Sequence, residues 1–189
     1  RGREGRLWLG RRSGHVARLD EDGATTTWPI HAGAPVRGLL EVPQGLLSWA
    51  EGEDDLLYTR DGAPLARIAV VPGDVVDAAV LSGPAVALGL KGGSIAVHAL
   101  ASGERLALVR GDSRELRCLA SNPSGGILIS GGPDGVATWA WDGTTLKEIQ
   151  RTPLSKTRDV LVYAKPGRSP EELYLGSARG TVLIARWKE

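Results

Sequence analysis

The chain has 189 residues, enough for a domain with a sizeable core, and its 42% hydrophobic content is ordinary for a soluble globular protein. Its 23 basic and 22 acidic residues are interspersed and leave a net charge of +1, with no basic block to grip a phosphate backbone, so nucleic acid is not the expected partner. The single cysteine, Cys118, rules out an internal disulfide and has no Cys or His at ligand spacing, which argues against a stapled fold or a zinc site and for a reducing, cytoplasmic setting.

Val, Leu, Ile and Ala dominate the apolar residues, with 26 Gly, 11 Pro, no Phe and no Met, a composition of short strands joined by tight turns. The chain opens Arg1-Gly2-Arg3, without an initiator Met or an apolar signal segment, as an excised piece would. A first unit, residues 6–30, reads as strands 7–10, 15–19 and 24–30. A second, 36–70, reads as strands 36–42, 46–49, 56–59 and 64–70. The third, 75–110, begins inside the most apolar stretch of the chain, but Asp74, Asp77 and Pro84 make that stretch two strands and not a membrane span. Its strands are 75–81, 86–89, 94–100 and 105–110. The fourth unit, 116–150, reads as 116–121, 128–131, 136–141 and 144–150, and the fifth, 158–187, as 159–164, 173–176 and 181–187.

Within these units one short apolar strand recurs, ending at Gly10, Trp49, Gly89, Gly131 and Gly176, at spacings of 39, 40, 42 and 45 residues. A period of roughly 40–45 residues with four strands per repeat is the length signature of β-propeller blades and is too long for leucine-rich or ankyrin repeats. Asp22-Gly23, Asp61-Gly62, Gly92-Gly93, Asp134-Gly135, Asp142-Gly143 and Arg179-Gly180 place glycine where hairpins need positive φ. The expected fold is therefore all-β, a single propeller segment of four-stranded antiparallel blades, with a β-sandwich or open barrel as the alternative. The strands divide three, four, four, four and three. A seven-bladed ring needs roughly 300 residues, so an incomplete ring of about four to five blades is expected, its open ends covered by missing blades or another chain.

At Ser130-Gly131-Gly132-Pro133-Asp134-Gly135-Val136 through Trp139-Ala140-Trp141-Asp142 the chain resembles the WD-repeat family, whose blades carry a Ser-Gly-x-x-Asp-Gly turn and a third strand ending Trp-Asp. Three other units match in part, and the second matches poorly. In that family a His, the strand Ser, the turn Asp and the Trp form a hydrogen-bonded set inside the blade. The resemblance assigns Ser130, Asp134, Gly135 and Trp139 to the motif and puts Asp112, in Gly111-Asp112-Ser113, where the family has His. The first unit also looks like blades of sensor-type and lyase-like propellers.

No phosphate loop, Gly-x-Ser-x-Gly turn, His-Glu-x-x-His or calcium loop is present, so no catalytic residue, metal or cofactor is assigned. His98 and Cys118 read as core residues, and His31 reads as a loop residue that an alternative lyase- or hydrolase-like propeller enzyme would use as acid or base. The resemblance places loops from two sources on one face: those between blades and those between second and third strands. That rim gathers Arg11, Arg12, His31, Arg37, Glu53, Asp54, Lys91, Asp112, Arg114, Glu115, Arg158 and Arg179. Loops on a rigid scaffold are where binding resides, and the expected function is a non-catalytic scaffold or sensor for a protein or peptide partner, within a larger multidomain protein.

Overall fold

A computed structural model describes residues 7–31, 33–70, 75–112, 114–153, 161–166 and 172–186. Among them are eighteen strands and no helix. Strands β1 (Leu7–Gly10), β2 (His15–Leu19) and β3 (Thr25–Pro29) make a three-stranded sheet. Strands β4 (Val36–Val42), β5 (Gly45–Ala50), β6 (Asp55–Arg60) and β7 (Ala63–Ala69) make a four-stranded one. A third sheet joins β8 (Val75–Leu81), β9 (Ala85–Leu90), β10 (Ser94–Ala99) and β11 (Arg105–Arg110). The fourth joins β12 (Cys118–Ser121), β13 (Ile127–Gly132), β14 (Gly135–Trp141) and β15 (Leu146–Thr152). The last has three strands, β16 (Leu161–Pro166), β17 (Glu172–Ser177) and β18 (Val182–Arg186).

All pairings are antiparallel between strands consecutive in sequence, so each sheet is an up-and-down blade. The expected division of strands holds among the described residues. Most boundaries move by one or two residues: the inner strand expected from 116 starts at Cys118, because the preceding residues belong to a capped loop, the strand expected over 144–150 is Leu146–Thr152, and the last inner strand is described over Leu161–Pro166, residues 159 and 160 lying outside the described residues.

The chain divides into two compact units, Arg1–Gly73 with Leu100–Gly103, and Asp74–Ala99 with Glu104–Glu189. In the second unit the third, fourth and fifth sheets pack face to face, with inner strands β8, β12 and β16 side by side. Alternation explains why. On β14 the side chains of Ala137, Trp139 and Trp141 point to one face and are buried against Ala79, Ala87, Ile95 and Val97 of the third sheet. On the other face Cys118, Ala120, Ile129 and Val136 meet Leu175 and Ala164 of the fifth. Each fully buried aliphatic or aromatic side chain contributes about 1.5–3 kcal/mol, so this two-sided burial dominates the stability of the stack.

Polar ties set the register of the stack. The Asp77 carboxylate accepts from Ala78 N at 2.9 Å on its own strand and from Leu119 N at 2.8 Å on β12. The Trp141 indole donates to Ser82 O at 3.0 Å, and Ser82 N to Gly125 O at 3.1 Å. Turn chemistry is local: Asp142 accepts from the hydroxyl and amide of Thr145 and then of Thr144, which holds its carboxyl below the usual range.

In the first unit β4 packs on β1, and a methyl at Gly10 would lie 2.5 Å from Val36 of β4. In the second sheet Trp49 stands at the position that Gly10, Gly89, Gly131 and Gly176 hold elsewhere. Its indole crosses onto the facing Gly38, where a Cβ would fall 1.9 Å from the ring. The large residue and the glycine have exchanged strands.

Burial raises the Asp77 carboxyl above its ordinary value, against the two amide bonds that lower it. A raised folded-state value means that the folded chain holds this proton more tightly than the unfolded chain. Stability from this group is therefore full below about pH 4, the unfolded value, and declines as pH rises through the folded value. Urea denaturation of Asp77→Asn across that window should lack the decline seen in the parent, whereas parallel pH profiles would show that Asp77 does not titrate with folding.

Candidate functional site

Two equivalent loops, one in each unit, close onto the sheets that follow them. In the first unit Gly14, at φ +80° in the β1–β2 turn, accepts at its carbonyl from the backbone N of His31 at 3.0 Å. In the second, Gly93, at φ +83° in the β9–β10 turn, accepts from Asp112 N at 2.9 Å. A side chain at Gly14 would meet His31 O at 1.8 Å, and one at Gly93 would meet Asp112 O at 2.4 Å, so only glycine allows this approach. His31, ahead of the second sheet, and Asp112, ahead of the fourth, thus occupy the same place in their repeats.

The two side chains do different work from that place. His31 is 2% exposed, its Nδ1 lies 2.6 Å from Glu53 Oε2, and its Nε2 lies 2.9 Å from Ser48 Oγ on β5. With a carboxylate as acceptor Nδ1 carries the proton, and in the neutral ring Nε2 accepts from the Ser48 hydroxyl. Asp112 is also buried, and its Oδ1 accepts from Arg114 N at 3.0 Å and Glu115 N at 3.4 Å. Its Oδ2 reaches forward to Asp134 N at 3.0 Å in the β13–β14 turn. A carboxylate has only acceptors to offer, so it gathers backbone amides where the imidazole bridges a hydroxyl and an acid.

The third strands complete the comparison. Trp139 on β14 donates from its indole to Ser130 Oγ at 2.9 Å, and Arg151 lies over its ring. The register puts Thr59 at that position in the second sheet and His98 in the third. Both are buried, and the Thr59 hydroxyl donates to Leu46 O at 3.4 Å. The second sheet, expected to match the motif poorly, therefore holds His31, Ser48 and an acid without the Trp. The fourth holds Ser130 and Trp139 without the His.

Two of the residues that the resemblance placed on the rim, His31 and Asp112, are buried. Both point into the sheets, and Glu53, half-buried, is committed to His31. Three acidic residues at the β5–β6 turn pair locally: Glu51 with Arg37 at 2.7 Å, Glu53 with His31, and Asp55 with Arg67 at 3.5 Å. Arg11, Arg12, Arg37 and Asp54 of the first unit are exposed, as are Lys91, Arg114 and Arg179 of the second. Glu115 is half-buried and pairs with Arg117. Arg158 lies outside the described residues.

Ser48, His31 and Glu53 stand in the order of a nucleophile, base and orienting acid. A nucleophile must meet its substrate, and Ser48, on β5 of the second sheet, is 0% exposed. Cys118 is equally inaccessible, and its thiol is pushed up to about 12, first by burial and then by the charge of Asp77, whereas reactive thiols sit well below the free value.

His31→Ala would leave Ser48 buried without its partner and Glu53 without its cation or donor. A loss of about 1–3 kcal/mol is expected by urea denaturation, and Ser48→Ala with it should cost little more, since the two share one network; full additivity would show them to be independent. The Cys118 thiol should resist Ellman's reagent at pH 8 in the native protein and react fully in guanidinium. Rapid native labelling would contradict its burial.

No family model matches the chain, and no curated protein matches it by sequence. Solved structures do. A chain in the crystal structure of a mitotic checkpoint complex superposes with a TM-score of 0.81 at 18% identity, covering 100% of this chain and 60% of that one. The WD40 propeller domain of Doa1 gives 0.77 at 17%, covering 100% and 62%, and the C-terminal WD40 domain of Sif2 gives 0.78 at 14%, covering 97% and 55%. The chain thus spans little more than half the length of these structures. What the likeness shows is the fold, a WD40-type β-propeller segment with degenerate blades.

Proposed function

We propose that this chain is a non-catalytic interaction scaffold, a set of WD40-like blades whose loops present charged side chains to a protein or peptide partner. The observation that carries this reading is the disposition of the polar groups. Among the described residues, the polar groups with the makings of chemistry, His31 with Ser48 and Asp112 with the β13–β14 turn, are buried and satisfied from within. Several exposed charged side chains lie in turns. In the first unit, Arg11 and Arg12 in the β1–β2 turn and Asp54 in the β5–β6 turn lie at the same end of their sheets, because antiparallel strands return every second turn to one end. Arg114 and Arg179 lie in the corresponding loops of the second unit. Arg is enriched among residues that anchor interfaces.

The solved chains it resembles are longer, which supports placing this chain within a larger protein whose further blades, or another chain, cover the sheets at its ends. A reducing, cytoplasmic compartment suits the lone, buried Cys118. The competing reading, a propeller hydrolase or lyase, needs His31 at a surface, and burial counts against it.

Peptide arrays of varied charge probed with the chain test the reading. Binding is expected to fall at least about tenfold, or 1.4 kcal/mol, when Arg11 and Arg12 are changed together to Glu with the thermal melt unchanged. Binding indifferent to charge reversal at Arg11, Arg12 and Arg114 would overturn it.

A further inference from the structure

Three turns of the molecule share one backbone pattern. Gly14 N donates to Arg11 O at 3.1 Å in the β1–β2 turn, Gly93 N to Leu90 O at 2.9 Å in the β9–β10 turn, and Gly180 N to Ser177 O at 3.1 Å in the β17–β18 turn. The three glycines have φ of +80°, +83° and +81°. Between the bonded ends stand Arg12-Ser13 in the first turn, Lys91-Gly92 in the second and Ala178-Arg179 in the third. The turn closes equally well with arginine, leucine or serine at its first position and with arginine, lysine or alanine at its second. Its fold does not require the two arginines of the first turn.

Those two arginines are also the ones left without partners. In the first unit Arg18 pairs with Asp20, Arg37 with Glu51 and Arg67 with Asp55, and Arg60 donates to the backbone and side-chain carbonyls of Gln44. Arg11 and Arg12 are exposed, and among the described residues their guanidinium groups make no hydrogen bond or ion pair. The backbone amides of Arg12 and Ser13, at the tip of the turn, donate to no described residue either. Acids in the β5–β6 turn do not cancel this charge: Glu51 is bound to Arg37 and Glu53 to His31, which leaves Asp54. The turn itself is held from both sides. Arg11 N donates to His15 O at 2.8 Å, Arg11 O accepts also from Val36 N at 3.2 Å, and Gly14 O accepts from His31 N at 3.0 Å. A turn fixed in this way has little backbone freedom left to lose when a ligand binds.

We propose that the β1–β2 turn binds an acidic segment of a peptide partner, with Arg11 and Arg12 each taking a carboxylate as a planar fork and the tip amides of Arg12 and Ser13 supplying further donors. This rests on the scaffold reading and names the chemistry of its partner. The Ser13 hydroxyl lies 3.0 Å from His15 Nδ1 and is already engaged, so it stays outside the set. Because the attraction is between charges at the surface, added salt weakens it.

Fluorescence anisotropy with a labelled Glu-rich peptide, and with Gln-rich and Lys-rich peptides of the same length, tests this. At low salt the Glu-rich peptide should bind at least about tenfold more tightly than the other two, and its affinity should fall as salt is raised. Arg11→Gln and Arg12→Gln should each weaken it about two- to fivefold with an unchanged melt. Arg11→Lys and Arg12→Lys, which keep the charge and lose the fork, should fall between parent and Gln variant. Lys91→Gln, at the position of the third sheet that corresponds to Arg12, should bind like the parent. Equal affinity for the Glu-rich and Gln-rich peptides, or a loss in Lys91→Gln as large as in Arg12→Gln, would overturn the proposal. So would failure of the Glu-rich peptide to bind while array peptides are held through Arg114, and that outcome would leave the scaffold reading standing.

Discussion

A sheet with two apolar faces must be covered twice. The fourth sheet meets that demand in full: one face buries Trp139 and Trp141 against the third sheet, and the other buries Cys118 and Ile129 against the fifth. Everything else in the second unit follows from it. Hairpins are short because successive strands stay in one sheet, inner strands lie side by side because the sheets stack, and Gly89 must be small because a methyl there would already crowd Leu119 at 3.2 Å. The polar ties of Asp77 and Trp141 add about 0.5–1.5 kcal/mol each, too little to assemble the stack but enough to fix its register.

The loops entering the second and fourth sheets are held by buried polar groups that differ in kind. An imidazole can donate at one nitrogen and accept at the other, so His31 links a strand hydroxyl to a turn acid. A carboxylate can only accept, so Asp112 ties down the amides of its own loop and of the β13–β14 turn. Both solutions hold the loop against the sheet and consume the reactive groups.

The repeat was legible because its signals are local. Turn glycines, the spacing of the short apolar strands and the strand count all depend on neighbours in sequence, and the structure keeps them. The Ser130–Trp139 pair was legible because the fourth unit spells most of the motif in order. His31 was not, because its role depends on two strands and a turn that follow it in space. It is preceded by Ile30 and not by glycine, its acid is Glu53, and Thr59 stands in place of the Trp. One sequence signal was available: His31 precedes Ser48 by 17 residues and Asp112 precedes Ser130 by 18, nearly the same offset in two repeats. The exchange of Trp49 with Gly38 hid the second unit further, since its anchor residue is the largest in the series.

Native-state hydrogen exchange tests the demand for two-sided cover most directly. Amides of β13 and β14, in a sheet buried on both faces, should open only with the largest free energy in the second unit, and those of β17 and β18, in a sheet covered on one face, should exchange through smaller openings. Equal protection of the fourth and fifth sheets would contradict the account.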